Sequence, residues 1–150
     1  MTAPKPGKSL VLYGMTSGVS VRGFIAGQAA FLKERGWRVA LTCSDDGGVA
    51  HFAQEEGIDF LPVDLARNPS FRQDLRGIAS LWRVLRRVRP DVTVWGSPKA
   101  SLLGVAACKL QRVPSLYVIH GLRLEGSSGV RRLVLKAAEA LTCRLATVVV

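Results

Sequence analysis

The chain has 150 residues, 48% of them hydrophobic and 21% charged, with a formal net charge of +10. That length suits one domain and buries a core without disulfide or metal staples, and the composition excludes a disordered or low-complexity chain. No apolar run reaches the ~18 residues needed to cross a bilayer, and MTAPKPGKSL reads without the apolar core of a secretory signal, so a cytoplasmic domain is expected.

Residues 1–8 read as a flexible lead and residues 9–150 as one α/β domain. SLVLYG (Ser9–Gly14) is a short apolar run ending in glycine, a buried strand. MTSGVSVRG reads as a loop, and the helical spacing of Phe24, Ile25, Ala29, Phe31 and Leu32 predicts a helix stopped at Gly36. RVALTC (Arg38–Cys43) is the second strand, and VAHFAQEEG a short helix ending at Gly57. IDFLPVD (Ile58–Asp64) is the third strand, with Pro62 implying an edge.

After a loop over LARNPSFRQD, the sequence from about Asp74 places Leu75, Ile78, Leu81, Trp82, Leu85 and Val88 on one helical stripe. Arginines cover the other faces, and Pro90 stops the helix. DVTVWG (Asp91–Gly96) is a strand, SPKASLLGVAACKLQR a helix and SLYVIHG (Ser115–Gly121) a strand. VRRLVLKAAEALTCRL is the last helix, and ATVVV begins a sixth strand. Strands alternating with helices need crossovers, so the sheet is parallel, doubly wound and Rossmann-like, with order 3-2-1-4-5-6 and helices on both faces.

In such a sheet ligands bind beyond the carboxyl ends of the strands, near the switch point between strands 1 and 4. GMTSGVSVRG after strand 1 carries Gly14, Gly18 and Gly23 but fails GxGxxG, which argues against a nicotinamide cofactor. The loop could wrap a phosphate with backbone N–H groups, with Ser17, Ser20 and Arg22 as polar contacts, or be a tight turn with no ligand. Gly7-Lys8-Ser9 precedes a strand and lacks the first glycine of a P-loop, so a nucleotide triphosphatase is rejected.

After strand 4, Ser97 is a candidate N-cap, Pro98 fits the first helical position, and Lys99 adds charge at the positive end of the helix. That end attracts anions; an ordinary cap with a solvent-facing lysine is the plainer alternative. His120 ends strand 5 at the crevice, placed to donate to a ligand oxygen or act as a base, or else to bond a backbone carbonyl. His51 falls on a short exposed helix without an evident role.

Cys43, Cys108 and Cys143 form no CxxC and read as buried small hydrophobes, so no metal site is expected. Residues 1–75 balance 8 basic against 8 acidic residues, whereas residues 76–150 carry 13 against 3. The excess suits an anionic partner or a solvated basic face. Nucleic acid is not supported, because the basic residues are not interleaved with a stacking platform of aromatics.

The order Asp74-Leu75, Arg89-Pro90-Asp91, Ser97-Pro98-Lys99-Ala100, Leu103-Gly104 and His120-Gly121-Leu122, with Glu139 in the last helix, resembles the amino-terminal domain of family-four glycosyltransferases. The likeness runs from Leu10 to Val150 and is strongest toward members that build capsule, exopolysaccharide or O-antigen. It implies a GT-B architecture, in which this acceptor-side half faces a donor-binding domain across a cleft. It implies a retaining enzyme with no metal and no cofactor, a nucleotide-sugar as donor substrate, and a lipid-linked or saccharide acceptor.

By the same resemblance the Gly14–Gly18 loop, with Gly14, Ser17 and Gly18, approaches the donor diphosphate, and His120 contacts the donor sugar as the catalytic-site residue. Ser97 and Lys99, with Arg22 and Arg123, lie on the acceptor side. A basic domain of this kind suits peripheral docking on the anionic inner face of the cell membrane. Val94-Trp95-Gly96 stands where related sequences often read His-Thr-His, so any role of those histidines is absent. The chain ends inside the predicted sixth strand, so the donor-binding domain is expected to be missing and the chain inactive by itself. The alternative is a non-catalytic α/β module that binds an anion or a partner domain.

Overall fold

A computed structural model describes residues 9–65, 71–120 and 129–150. The elements are β1 (Leu10–Gly14), α1 (Gly18–Glu34), β2 (Arg38–Thr42), α2 (Val49–Glu55), β3 (Asp59–Phe60), α3 (Phe71–Val88), β4 (Val92–Trp95), α4 (Pro98–Gln111), β5 (Ser115–Tyr117), α5 (Gly129–Leu145) and β6 (Val148–Val149). The strands form one parallel sheet in the order β3-β2-β1-β4-β5-β6, as the alternating pattern predicted. Residues 1–8 and Arg123 lie outside the described residues.

Alternation along β1 divides the core in two. Leu10 and Leu12 join Leu81 and Leu85 of α3 and Leu103 and Ala107 of α4. Val11 and Tyr13 point the other way, onto Val21, Ile25 and Ala29 of α1 and Val49 and Ala53 of α2. The α1–α2 face is covered mainly over β1–β3. Farther along it, Val92, Val94, Leu116 and Val118 are half-buried, and Val148 and Val150 are exposed.

Several boundaries differ from those the sequence predicts. α1 begins at Gly18, not Phe24, so Arg22 is helical. Gly18 and Gly23 disfavour helix locally, but burial of Val21 and Ile25 against the sheet outweighs their propensity. α3 begins at Phe71, before the expected Asp74. β3 keeps only two residues, but Leu61 N–H to Leu41 O (2.8 Å) and Val63 N–H to Cys43 O (3.0 Å) carry the contact with β2 further, so the N–H that Pro62 lacks would face the free edge. The helix stop at Gly36 is as expected. Gly36 adopts φ 83°, with Gly36 N–H bonding Lys33 O and Trp37 N–H bonding Leu32 O.

Two motif segments have structural work. Pro90 ends the α3 exit turn, after which Asp91 Oδ2 accepts the Leu10 N–H at 2.7 Å and Asp91 N–H bonds Leu10 O at 2.9 Å. These bonds register β4 against β1. Glu139 Oε1 accepts the Tyr117 hydroxyl at 2.6 Å, tying α5 to β5. Cys43 and Cys108 are buried as expected, whereas Cys143 is half-buried.

The indole of Trp95 is fully buried and donates to Thr93 Oγ1 at 2.9 Å. A Cβ on Gly14 would lie 2.0 Å from its Cζ3, and one on Gly104 2.3 Å from its Cε3. Gly104→Ala should therefore lower stability by about 1–3 kcal/mol despite alanine's better helix propensity. Urea unfolding monitored by far-UV circular dichroism measures this; an unchanged or higher midpoint contradicts the packing account. Burial, with Asp46 and Asp45 nearby, pushes the Cys43 thiol up to about 12. Native-state alkylation near pH 8 should therefore reach Cys143 first and spare Cys43 and Cys108 until the chain unfolds. Mass-spectrometric mapping of labelled peptides gives the order.

Candidate functional site

β1 and β4 are neighbours whose crossovers depart to opposite faces, so a crevice opens above their carboxyl ends. Two helix N-termini flank it. α1 starts after Ser17 and α4 after Ser97, both in extended backbone conformation, and neither serine side chain caps its own helix. Neither first turn holds an acidic residue. The first-turn amides of α4 therefore favour an anion in the crevice, whereas the Asp46 carboxylate, lying against Gly18, already offsets the positive end of α1. Thr16 Oγ1 and Ser97 Oγ are 2.5 Å apart, a hydroxyl pair that fastens the β1–α1 loop to the start of α4.

His120 lies beside this pair and is exposed. Its ring stacks on Phe24 of α1, with centroids 3.8 Å apart and an interplanar angle of 16°. A Cβ on Gly96 would lie 2.8 Å from His120 Nε2 and 2.5 Å from Met15 Cε, so the glycine leaves the room that the imidazole occupies. The histidine thus stands at the carboxyl ends of β4 and β5, near the Gly14–Gly18 loop.

The other candidates divide. Lys99 Nζ lies 2.6 Å from Asp74 Oδ1, a half-buried ion pair joining the first turns of α3 and α4, so its charge is shared with a carboxylate. Gly14 gives room to Trp95. Gly18 gives room to Asp46, whose Oδ2 would lie 2.3 Å from an added Cβ. Arg22 faces the β2–α2 loop, 3.8 Å from Asp46 Oδ2 and close over Gly48, and so groups with that loop instead of Ser97 and Lys99. His51 pairs with Glu55 at 3.3 Å on the exposed side of α2. Among the described residues no cluster of three His, Cys, Asp or Glu side chains could hold a metal ion.

Thr16, Met15, Phe24 and Gly96 are site residues that sequence reading passes over, whereas Asp74 enters it only as part of a motif. Only Thr16 leaves a signal, a hydroxyl directly after a strand on the ligand-binding side of the sheet.

Phe24→Ala should remove the ring-current shift on the His120 imidazole protons, while Phe24→Tyr should keep it. With two histidines in the chain, proton NMR resolves the effect, and His51 serves as an internal reference. An Ala variant with an unmoved His120 signal would show that the stack does not form.

The model of the glycosyl transferase 4-like domain matches residues 18–150. The capsular polysaccharide biosynthesis glycosyltransferase CapM of Staphylococcus aureus is 28% identical over 129 residues, covering 81% of this chain and 31% of its own length. The UDP-Gal:alpha-D-GlcNAc-diphosphoundecaprenol alpha-1,3-galactosyltransferase of Escherichia coli is 27% identical over 90 residues, covering 59% of this chain and 23% of its own. Among solved structures, Anabaena HepE, crystallised with UDP and glucose, superposes with a TM-score of 0.69 at 19% identity, over 94% of this chain and 37% of that one. That likeness shows the shared fold. The chain spans less than a third of the length of the curated relatives it matches. With a family match across most of its residues, the chain belongs to the glycosyl transferase 4-like domain family.

Proposed function

We propose that this chain is the acceptor-side half of a GT-B glycosyltransferase that moves a sugar from a nucleotide-sugar to a lipid-linked or saccharide acceptor with retention of configuration. The supporting observation is the crevice where two uncapped helix N-termini, bridged by Thr16 and Ser97, meet the imidazole of His120. Glycosyl transfer from a nucleoside diphosphate builds negative charge on the departing phosphate, and preorganised amides aimed at that charge are what the reaction needs.

In this reading the loop from Gly14 to Gly18 approaches the donor diphosphate with its backbone amides. His120, held by Phe24 and by the space over Gly96, hydrogen-bonds the donor sugar. Ser97 and Lys99 line the acceptor side, and Asp74 fixes where the ammonium stands. The donor-binding domain is the principal partner and supplies the remaining groups; no metal or cofactor takes part. The Escherichia coli relative's diphosphoundecaprenol-linked substrate supports a polyprenyl-diphosphate acceptor, and the Staphylococcus aureus relative supports a role in surface polysaccharide synthesis. Such an acceptor places the protein in the cytoplasm, peripherally at the inner face of the membrane.

The test assays transfer from a panel of nucleotide-sugars to polyprenyl-diphosphate acceptors, using the polypeptide in which this domain is joined to its donor-binding domain. His120→Ala should lower kcat/KM by about a hundredfold or more, the usual scale for a preorganised donor at a reacting centre. Turnover equal to wild type removes His120 from the site, and absence of transfer with every donor sinks the enzymatic reading.

A further inference from the structure

The imidazole of His120 lies in a slot built by residues from other elements. Phe24 of α1 covers one ring face, with centroids 3.8 Å apart. Gly96 directly follows β4 and extends its pairing with β1, its N–H bonding Gly14 O at 3.3 Å. A Cβ at Gly96 would stand 2.8 Å from His120 Nε2, 2.9 Å from His120 Cδ2 and 2.5 Å from Met15 Cε, all inside the closest approach that real Cβ atoms make. Met15, fully buried after β1, thus borders the same space.

The walls are fixed by their own elements. Val21 and Ile25, which flank Phe24 in sequence, are fully buried against the sheet and set the rotation of α1. One turn beyond Phe24, Gln28 Oε1 accepts the Tyr13 hydroxyl at 3.0 Å and ties the same flank of the helix to β1. Among the described residues no hydrogen bond or ion pair holds the imidazole itself, so packing sets its plane. Phe24 stands on the second turn of α1, about 9 Å of axial rise beyond Gly18. One helix therefore carries both the end of the Gly14–Gly18 loop and the ring that orients the imidazole.

We propose that Phe24 and Gly96 are positioning residues for sugar transfer that act through His120. They hold the imidazole at a fixed reach from the Gly14–Gly18 loop, the span between the diphosphate of a donor and its sugar. The inference rests on the reading of His120 as a donor-sugar contact and deepens it by naming what orients the ring. A side chain at position 96 and a slotted imidazole exclude each other. The atoms that an alanine methyl would meet there are the free ends of two side chains and not backbone, so the fold can take the methyl by turning His120 out.

Proton NMR of the chain tests the slot without any sugar transfer. Gly96→Ala leaves Phe24 in place, yet should remove its ring-current shift from His120. Gly27→Ala, whose Cβ meets nothing within 4 Å, should leave that shift as it is. Transfer is assayed on the polypeptide joined to its donor-binding domain. Phe24→Ala and Gly96→Ala should each lower kcat about tenfold or more with the donor KM little changed, the scale of a displaced reacting group. Phe24→Tyr keeps the ring and should keep turnover. Inhibition by the nucleoside diphosphate without its sugar should not move. In a His120→Ala background neither alanine substitution should lower kcat further. Circular dichroism verifies the fold of each variant.

The proposal fails if Gly96→Ala keeps the ring-current shift, or if Phe24→Ala and Gly96→Ala turn over as wild type does. It also fails if their losses add to that of His120→Ala or if the nucleoside diphosphate binds more weakly, because the wider crevice would then have changed. Absence of transfer with every donor sinks the enzymatic reading and any role in transfer with it. A shift retained in Gly96→Ala while wild type transfers sugar defeats this proposal alone.

Discussion

The position of the crevice depends on one packing constraint, the indole of Trp95 held between two glycines. Gly14 ends β1 and Gly104 lies in the middle of α4, and the ring occupies the space where either would otherwise carry a Cβ. The indole N–H is satisfied by Thr93, so the largest side chain of the core costs no unpaired polar group. This contact sets how closely α4 approaches the centre of the sheet. That approach brings Ser97 to Thr16 and leaves the two helix starts on either side of one opening.

The electrostatics follow from what is missing as much as from what is present. Helix starts on protein surfaces are commonly neutralised by a capping oxygen or an early carboxylate. Here Ser97 points its hydroxyl sideways to Thr16, and neither first turn has an acid. The one lysine nearby is not a loose cation, because Asp74 holds it from α3. The first-turn amides of α4 are therefore preorganised donors at the crevice, while the Asp46 carboxylate offsets the dipole of α1.

Much of the architecture was legible because helical and strand periods alternate cleanly and the breakers Gly36, Gly57 and Pro90 fall between them. Strand order and the location of the crevice follow from that alternation alone. The start of α1 was not legible, since Gly18 and Gly23 argue locally for a loop and only burial against the sheet argues for a helix. Nor was the direction of Arg22, which one turn of helix carries to Asp46. His120 could be placed at a strand end by position, but its stack on Phe24 joins residues from opposite ends of the chain.

The short β3 strand has a consequence for assembly. Pro62 withdraws a donor from that border of the sheet, and its exposed ring stands where an incoming chain would need an amide. At the opposite border β6 carries no proline, and its neighbour Val150 spends its N–H on Tyr117 O at 2.9 Å. The β3 border is thus poorly suited to accept a strand from another molecule, which guards that side of the sheet against edge-to-edge association.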